Sequence, residues 1–357
     1  MLLEELMAYS PYELERGKKQ QLFLQRMNTL THLHYEKCAE YRKICDLLFA
    51  GDKEAEVLDD VPFLPVSLFK RRELRSVPQS DIVKTMTSSG TSGQQVSKIF
   101  LNRETASNQQ KVLAKIVSDF TGSSRMPMII LDCPSVIKNR ALFSARGAGI
   151  LGFSIFASKK IFAFDDDMNL NYDGLKEFLE VHKESTVFLF GFTYMVWQYF
   201  YKALKQSGVI LPLENAILIH GGGWKKLIHE SVSRENFRQG LHEVCGIQRI
   251  HDYYGMVEQT GCIYMECEYG HLHVSHYSDV LIRNMEDFSL CKMGETGAIQ
   301  VLSAIPESYP GFSILTEDMG CIRGEDDCPC GRKGKYIEIK GRMKNAEVRG
   351  CSDTFEL

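Results

Sequence analysis

Long apolar runs are missing from this chain. The longest, Val187 to Phe200, covers 14 residues and includes Thr193 and Gln198, too short to cross a bilayer as a helix. Runs of like charge are missing as well. Lys and Arg number 42 against 46 Asp and Glu, and the formal net charge of −4 leaves no basic footprint for nucleic acid. The first residues, MLLEELMAYS, carry acids where a secretory leader would carry Lys or Arg. No Pro/Gly-rich linker, internal repeat or low-complexity tract breaks the 357 residues. Cysteine is not scarce, but 11 is an odd number, dispersed without a leader, so these read as reduced thiols of a cytoplasmic protein. Secreted, membrane-spanning and DNA-binding classes fall away.

What is present is enough chain for roughly two domains of ordinary size. Tyr12 to Leu48 has helical spacing, and two prolines in Val61 to Lys70 favour an extended segment. Beyond Asp81, short apolar runs alternate with amphipathic stretches. Ile129–Asp132, Thr186–Phe190 and Ala216–Ile219 read as buried strands; Arg103–Phe120, Tyr172–His182, Tyr194–Lys205 and Glu235–Val244 read as helices. That alternation predicts an α/β fold with a largely parallel sheet. His271–Arg283, Gly297–Ser303 and Lys335–Lys340 predict a smaller β-rich section. The expected organisation is a helical segment over 1–80, an α/β core over 81–260, a β-rich section over 261–340 and a short tail over 341–357.

Thr87 to Gly93 is a run of seven small residues, five with hydroxyls and two of them glycine, placed between a strand-like segment and a helix. Glycine lets backbone approach an anion, and successive N–H groups with hydroxyls can cradle phosphate. Gln94 excludes a Walker A loop, which needs Gly-Lys-Ser/Thr, and also the hydrolase elbow, which needs Gly at that position. Gly147, Gly149 and Gly152 match G-x-G-x-x-G. However, no strand directly precedes them and β-like Phe153–Phe156 follows, so close backbone packing is preferred to a dinucleotide site.

Further segments follow in order: His220-Gly-Gly-Gly-Trp-Lys-Lys226, Asp252 to Gly261 (DYYGMVEQTG), Leu315-Thr-Glu-Asp-Met-Gly320 and Gly341-Arg-Met-Lys344. With the Ser/Thr/Gly loop, this series resembles the adenylate-forming superfamily. Pro62 to Lys70, Ser88 to Gly93, His220 to Lys225 and Tyr254 to Gly261 are similar to the acyl-protein synthetase (LuxE) family within it, related to phenylacetate-CoA ligase-like proteins. The resemblance runs over nearly the whole chain. It implies the large N-terminal domain of an adenylate-forming enzyme with a β-rich distal section, and no mobile C-terminal domain after Leu357.

The resemblance also implies a chemistry. A carboxylic acid, fatty in this family, would be activated with ATP and Mg²⁺ to an acyl-adenylate and passed to a cysteine thiol. Two anions must meet in the first step, so positive charge and N–H donors are required. By resemblance, Ser88, Ser89, Gly90, Thr91, Ser92 and Gly93 would hold phosphates, with Lys98 assisting from about two positions later than the usual lysine. Glu258 would hold Mg²⁺. Gly221, Gly222, Gly223, Tyr254 and Gly255 would flank the adenine, while Asp318 and Arg342 would meet the ribose and phosphate. Cys351 would accept the acyl group for delivery to a partner such as an acyl reductase or acyl carrier. Glu317 and Lys344-Asn345 depart from the family pattern. Singly, Glu258 and Asp318 also suit solvated turns and Arg342 a surface charge. Two further readings stay open: an acid–CoA or acid–carrier-protein ligase using a separate partner, and a non-catalytic adenylation-fold subunit. Phe192, Met195 and Trp197 suit an acyl tunnel and suit core equally.

Cys328-Pro-Cys330 at one turn and Cys267 with His273 at another would make a tetrahedral site for structural Zn²⁺. Cys321, His271 and His276 are substitutes, and locally satisfied reduced cysteines are the alternative.

Overall fold

The structure, a computed structural model, describes residues 2–49, 51–88, 95–138, 145–224 and 229–343. Helices Leu2–Met7, Arg16–Lys37 and Ala39–Leu48 open the chain, followed by the short strand β1 (Leu64–Pro65) and the hairpin strands β2 (Ile82–Thr87) and β3 (Lys98–Asn102). Helix Arg103–Thr121 leads to β4 (Met126–Leu131), helix Ala145–Phe153 to β5 (Ala157–Phe162), and helix Tyr172–Val181 to β6 (Val187–Phe192). Three consecutive helical segments run from Thr193 to Ser207, before β7 (Ala216–Gly221), helix Arg234–Cys245 and β8 (Arg249–Tyr254). Then come β9 (Tyr264–Glu266), β10 (Leu272–His273), β11 (Ser278–Arg283), β12 (Gly297–Ser303), β13 (Ser313–Glu325) and β14 (Lys335–Arg342).

The described residues fall into two units. The first comprises 121–138, 145–224 and 229–254, and its sheet runs β5-β4-β6-β7-β8 with every neighbouring pair parallel. β4, β6 and β7 are buried on both faces, as their unbroken apolar runs require. Two of its helices start on side-chain caps. Asn171 accepts from the Gly174 N–H, and Ser233 accepts from the Asn236 N–H. Helix Arg234–Cys245 stops at Gly246, whose φ of +74° suits a residue without Cβ.

The second unit comprises 2–49, 51–88, 95–120 and 255–343. Its antiparallel strands run β11-β12-β13-β14-β10-β9, with β1 added in parallel on β13. Helix Arg16–Lys37 buries Phe23, Met27 and Leu30 on one stripe, together with Lys19, Arg26 and His34. Those polar groups bridge far along the chain. The Arg26 Nε–H donates to the Ala304 carbonyl at 2.8 Å, and Lys19 lies 3.5 Å from Asp279, which also accepts from Lys335 at 2.7 Å.

Two expectations need correction. Phe153–Phe156 is not β-like: Phe153 ends helix Ala145–Phe153 and Ser154–Phe156 is a tight helical turn, with the strand beginning at Ala157. Gly147, Gly149 and Gly152 lie within that helix, and a Cβ on Gly149 would sit 3.2 Å from the Phe192 ring, so glycine serves close helix–strand packing. Second, the Ser/Thr/Gly run joins two strands, β2 and β3, rather than a strand and a helix, because Lys98–Asn102 pairs back onto Ile82–Thr87. Tyr194–Lys205 is helical as expected, inside a helical stretch over Thr193–Ser207. Val196–Tyr201 winds as a π turn, with the Trp197 and Tyr201 rings stacked at 4.0 Å against Gly240.

Candidate functional site

In the parallel-sheet unit, polar groups gather at the carboxyl ends of the strands, where open α/β sheets bind ligands. β7 ends in His220-Gly221, and Gly222 and Gly223 follow at φ of +84° and +65°. Two consecutive positive φ values make a path that favours glycine. A Cβ on Gly221 would come 2.6 Å from the Tyr253 ring of the paired strand, so the backbone is drawn tight there. Thr193, just past β6, ties this turn together: its hydroxyl lies 3.0 Å from His220 Nδ1 and 3.1 Å from the Gly221 carbonyl. Burial pushes the His220 pKa down to about 3, helped by the Arg238 charge, so the imidazole is neutral. Tyr254 closes β8 and is half-buried.

At the end of β4 stands a pair that the sequence did not announce. Arg146 Nε lies 3.0 Å from Asp132 Oδ2, both side chains are buried, and the guanidinium also donates to the Tyr194 hydroxyl at 3.2 Å. Burial raises the Asp132 carboxyl pKa while the Arg146 charge and the Cys133 N–H pull it back. The signal was positional: an acid directly after an apolar strand, with its cation 14 positions on.

In the second unit, Glu258 sits on the tight turn Val257–Gln259 and is only 3% exposed. The turn is clamped from several sides. The Tyr309 hydroxyl donates to the Glu258 carbonyl at 2.8 Å, and the Gln259 amide donates to the Val301 and Gly311 carbonyls, each at 3.0 Å. Gly261 has φ of +97°, and a Cβ there would meet the Gln109 backbone at 2.7 Å. Asp318 and Arg342 stand opposite each other on β13 and β14, with Arg342 Nε 3.3 Å from the carboxylate. The Asp318 N–H donates to the Thr316 hydroxyl, which donates in turn to the Ile299 carbonyl. Ser88 exchanges two bonds with Ser97 at the base of the hairpin, and exposed Lys98 begins β3. Gly255 is exposed just before the Glu258 turn. Ser89, Gly90, Thr91, Ser92, Gly93 and Cys351 lie outside the described residues.

The same unit brings Cys267, His273, Cys328 and Cys330 together, with one ligand atom of each within 4.8 Å of all the others. Cys267 and Cys328 sulfurs are 3.9 Å apart, and Cys330 Sγ is 3.3 Å from His273 Nε2. Burial pushes the Cys328 thiol up to about 12 and the His273 imidazole down to about 4. His271 Nδ1 lies 3.1 Å from Cys328 Sγ, beside the cluster. The other substitutes are elsewhere: His276 bonds the Leu6 carbonyl, and Cys321 points at Glu338. Arg332 anchors the cysteine turn, donating to Asp119 at 2.8 Å with its guanidinium 3.9 Å from the Phe120 ring centre.

A family model described as "Acyl-protein synthetase, LuxE" matches residues 3–356. The chain belongs to this family. The LuxE-family chain is 26% identical over 353 residues to the long-chain-fatty-acid–luciferin-component ligase of Vibrio harveyi, covering 94% of itself and 90% of that relative. The ligase of the same description from Aliivibrio fischeri is 26% identical over 331 residues, covering 90% and 84%. Among solved structures, an open conformation of 2-hydroxyisobutyryl-CoA ligase with 2-HIB-AMP and CoA superposes with a TM-score of 0.70 at 14% identity, over 94% of this chain and 77% of that one. At that identity the likeness establishes the fold. The α/β class expected for a LuxE-family sequence is therefore the observed one, and no helix among the described residues is long and apolar enough to cross a membrane.

Proposed function

We propose that this LuxE-family protein activates a fatty acid with ATP and passes the acyl group through a thioester on Cys351. In the first half-reaction a carboxylate oxygen bonds the α-phosphorus and pyrophosphate leaves. In the second, the Cys351 thiolate bonds the acyl carbon and AMP leaves with the carboxylate oxygen. The match over residues 3–356, with the ordered motifs, is the observation that supports this reading most. Both relatives named above are described as long-chain-fatty-acid ligases, which favours a long-chain acid here.

The roles follow from chemistry. Gly221 to Gly223 carry no side chain to block an adenine, with open space where a Cβ on Gly223 would stand, and Asp318 offers a carboxylate to ribose hydroxyls. Arg342 opposite Asp318 places a cation within one residue pair of that carboxylate. Glu258 fits Mg²⁺, a hard cation that takes one or two carboxylates and completes its shell with phosphate and water. Bound Mg²⁺ would supply neutralising charge to the triphosphate. The chain's own part is to hold Glu258 still, through Tyr309, Gln259 and Gly261. Arg349, two residues before Cys351, would lower that thiol's pKa modestly and enrich the thiolate. An acyl reductase or carrier would then take the acyl group from Cys351.

The Cys267, His273, Cys328, Cys330 set fits structural Zn²⁺. Three thiols and one imidazole are a common tetrahedral donor set, and edges of 3.3 and 3.9 Å suit bonds of about 2.0–2.3 Å. Zinc would staple two turns.

The test is acid-dependent ATP–pyrophosphate exchange across short, long and aromatic acids, followed by radiolabelled acyl transfer to the protein. Exchange with long-chain acids, and a hydroxylamine-sensitive label absent from Cys351→Ser, is the expected result. Exchange that persists in Cys351→Ser together with an unchanged label would move the acceptor elsewhere. No exchange with any acid in reduced, Mg²⁺-replete protein would overturn the reading in favour of a non-catalytic subunit.

A further inference from the structure

One cavity among the described residues is lined by none of the residues given an ATP, magnesium, acyl or zinc role above, although Pro62, Phe63, Pro65 and Leu315 belong to segments that carry the family resemblance. It has a volume of about 760 Å³ and is lined by the end of helix Ala39–Leu48, residues of the segment 53–65, the loop after β11 and Leu315. Its apolar lining is Leu48, Phe49, Phe63, Phe288 and Leu315, with Phe49–Phe63 and Phe63–Phe288 ring centres 5.3 and 6.1 Å apart. Leu48 is 70% exposed and Phe288 44%, and Leu47 and Met285, close to them in the chain, are exposed as well. Such a contiguous patch on a folded unit marks a place of contact.

Phe288 is held there against its backbone preference. Its φ is +60°, an outlier for a bulky side chain. The conformation is pinned by Arg283, which donates to the Phe288 carbonyl at 2.7 Å, and by the Phe288 N–H bonding the Asn284 carbonyl at 3.0 Å. Backbone strain of this kind persists where surrounding bonds over-determine it, and it clusters at ligand clamps.

Charge selects the occupant. Arg283 is buried and committed: besides Phe288 it bonds the Asp59 carboxylate at 2.6 Å, the Asp59 carbonyl and the Gln300 side chain. What remains at the rim is Glu54, Glu56, Asp60 and Asp287, all exposed, against Lys53. An anionic lipid surface would be repelled. Strand addition is disfavoured as well, because the neighbouring edge strand β11 already spends the Ile282 carbonyl on the Cys291 N–H and the Val280 carbonyl on Lys335. A side-chain groove with acidic lips instead suits an amphipathic helix whose apolar stripe enters the groove and whose flanks carry Lys or Arg.

We propose that this groove docks a basic amphipathic helix of a partner protein, on a surface lined by none of the residues assigned to acid activation. The proposal stands independently of the acyl chemistry above.

The test uses a fluorescein-labelled 18-residue helical peptide with Leu at i, i+4, i+7 and i+11 and Lys elsewhere, and a counterpart with Glu for Lys. Anisotropy against the full-length protein should show binding of the Lys peptide and none of the Glu peptide. Binding should weaken at least about tenfold in Phe288→Gly and in Glu54→Lys/Asp60→Lys, the scale expected for an anchor residue. Phe288→Gly also removes the backbone strain, so an unchanged or raised melting temperature separates lost docking from lost folding. Equal binding of both peptides, or binding untouched by these variants, would overturn the proposal. So would self-association of the unliganded protein in light scattering that Leu48→Glu abolishes, since the occupant would then be a second copy.

Discussion

The His34 imidazole has one hydrogen-bonding arrangement open to it. Pro306 offers only a carbonyl, 3.0 Å away, so Nε2 carries the proton and Nδ1 accepts from the Ser76 hydroxyl at 2.7 Å. Burial holds its pKa at about 3, with the Arg26 charge adding to the depression and the Pro306 carbonyl opposing it. An unfolded chain has an ordinary histidine near pH 6.5, so between these values the unfolded state binds more protons. The stabilisation is therefore complete above about pH 6.5 and is lost as pH falls toward 3. Going from pH 6.5 to 5 should cost up to about 2 kcal/mol for this residue. His220 and His276, also held near 3 by burial, act in the same direction. Urea unfolding midpoints across this range should fall steadily, and His34→Gln should flatten the slope; an unchanged slope would mean that His34 does not remain neutral in the fold. Glu258→Gln should lower pyrophosphate exchange about a hundredfold or more, the scale of losing one electrostatic group in a site, with little change in melting temperature. Parallel loss of exchange and of fold would make Glu258 structural. The chemistry of single residues was partly legible. Cys and His reveal their type and spacing, and the four that cluster are those the two turns predicted. Arg146 with Asp132 was legible only in part: the place of the acid directly after an apolar strand marks a strand-end site, but nothing local names the arginine it meets.

Elements were legible where burial was two-sided. β6, β7 and helix Arg103–Thr121 read directly from their apolar runs and stripe, the helix also being capped by Asn102 accepting from the Thr105 N–H. β13 did not, because Glu317, Asp318, Gly320, Arg323 and Gly324 interrupt its pattern while it still pairs on both sides. β5 and β8 are masked in the same way by Lys159-Lys160 and by Arg249 with His251-Asp252. Partners, not propensity, make these strands. The turn bearing Glu258 permits a sharper prediction. Gly261→Ala forces a Cβ into the Gln109 backbone at a positive φ, and should destabilise the protein by about 2 kcal/mol or more while lowering exchange activity. Wild-type stability in that variant would show that the turn can shift. The two cysteine turns make a second case. Zinc removal by a chelator should lower the melting temperature by several degrees, and Cys330→Ser should lose metal by mass spectrometry and mimic that drop. Protein isolated without metal, and indifferent to chelator, would leave the cluster as reduced thiols.

On the scale of the whole molecule, the parallel-sheet unit is drawn from one stretch of chain and the other unit from segments far apart. β1 pairs with β13 through Leu64 and Ile314, and Arg26 reaches Glu307 at 2.5 Å. Contacts of long sequence separation form slowly. Pulsed hydrogen exchange during refolding should therefore protect β4, β6 and β7 before β1 and β13; simultaneous protection would indicate one cooperative unit. The same arrangement sets a problem for synthesis on the ribosome. The first 88 residues emerge with Phe23, Met27, Leu30 and Leu64 bare, and the strand that covers Leu64 follows 250 residues later. At about 5–20 residues per second that is a wait of roughly 12 to 50 s. For that interval the helices of the nascent N-terminus have only one another to pack on and Leu64 lacks its partner strand, so chaperone contact is expected there, while the insertion between the two parts of this unit is free to fold first.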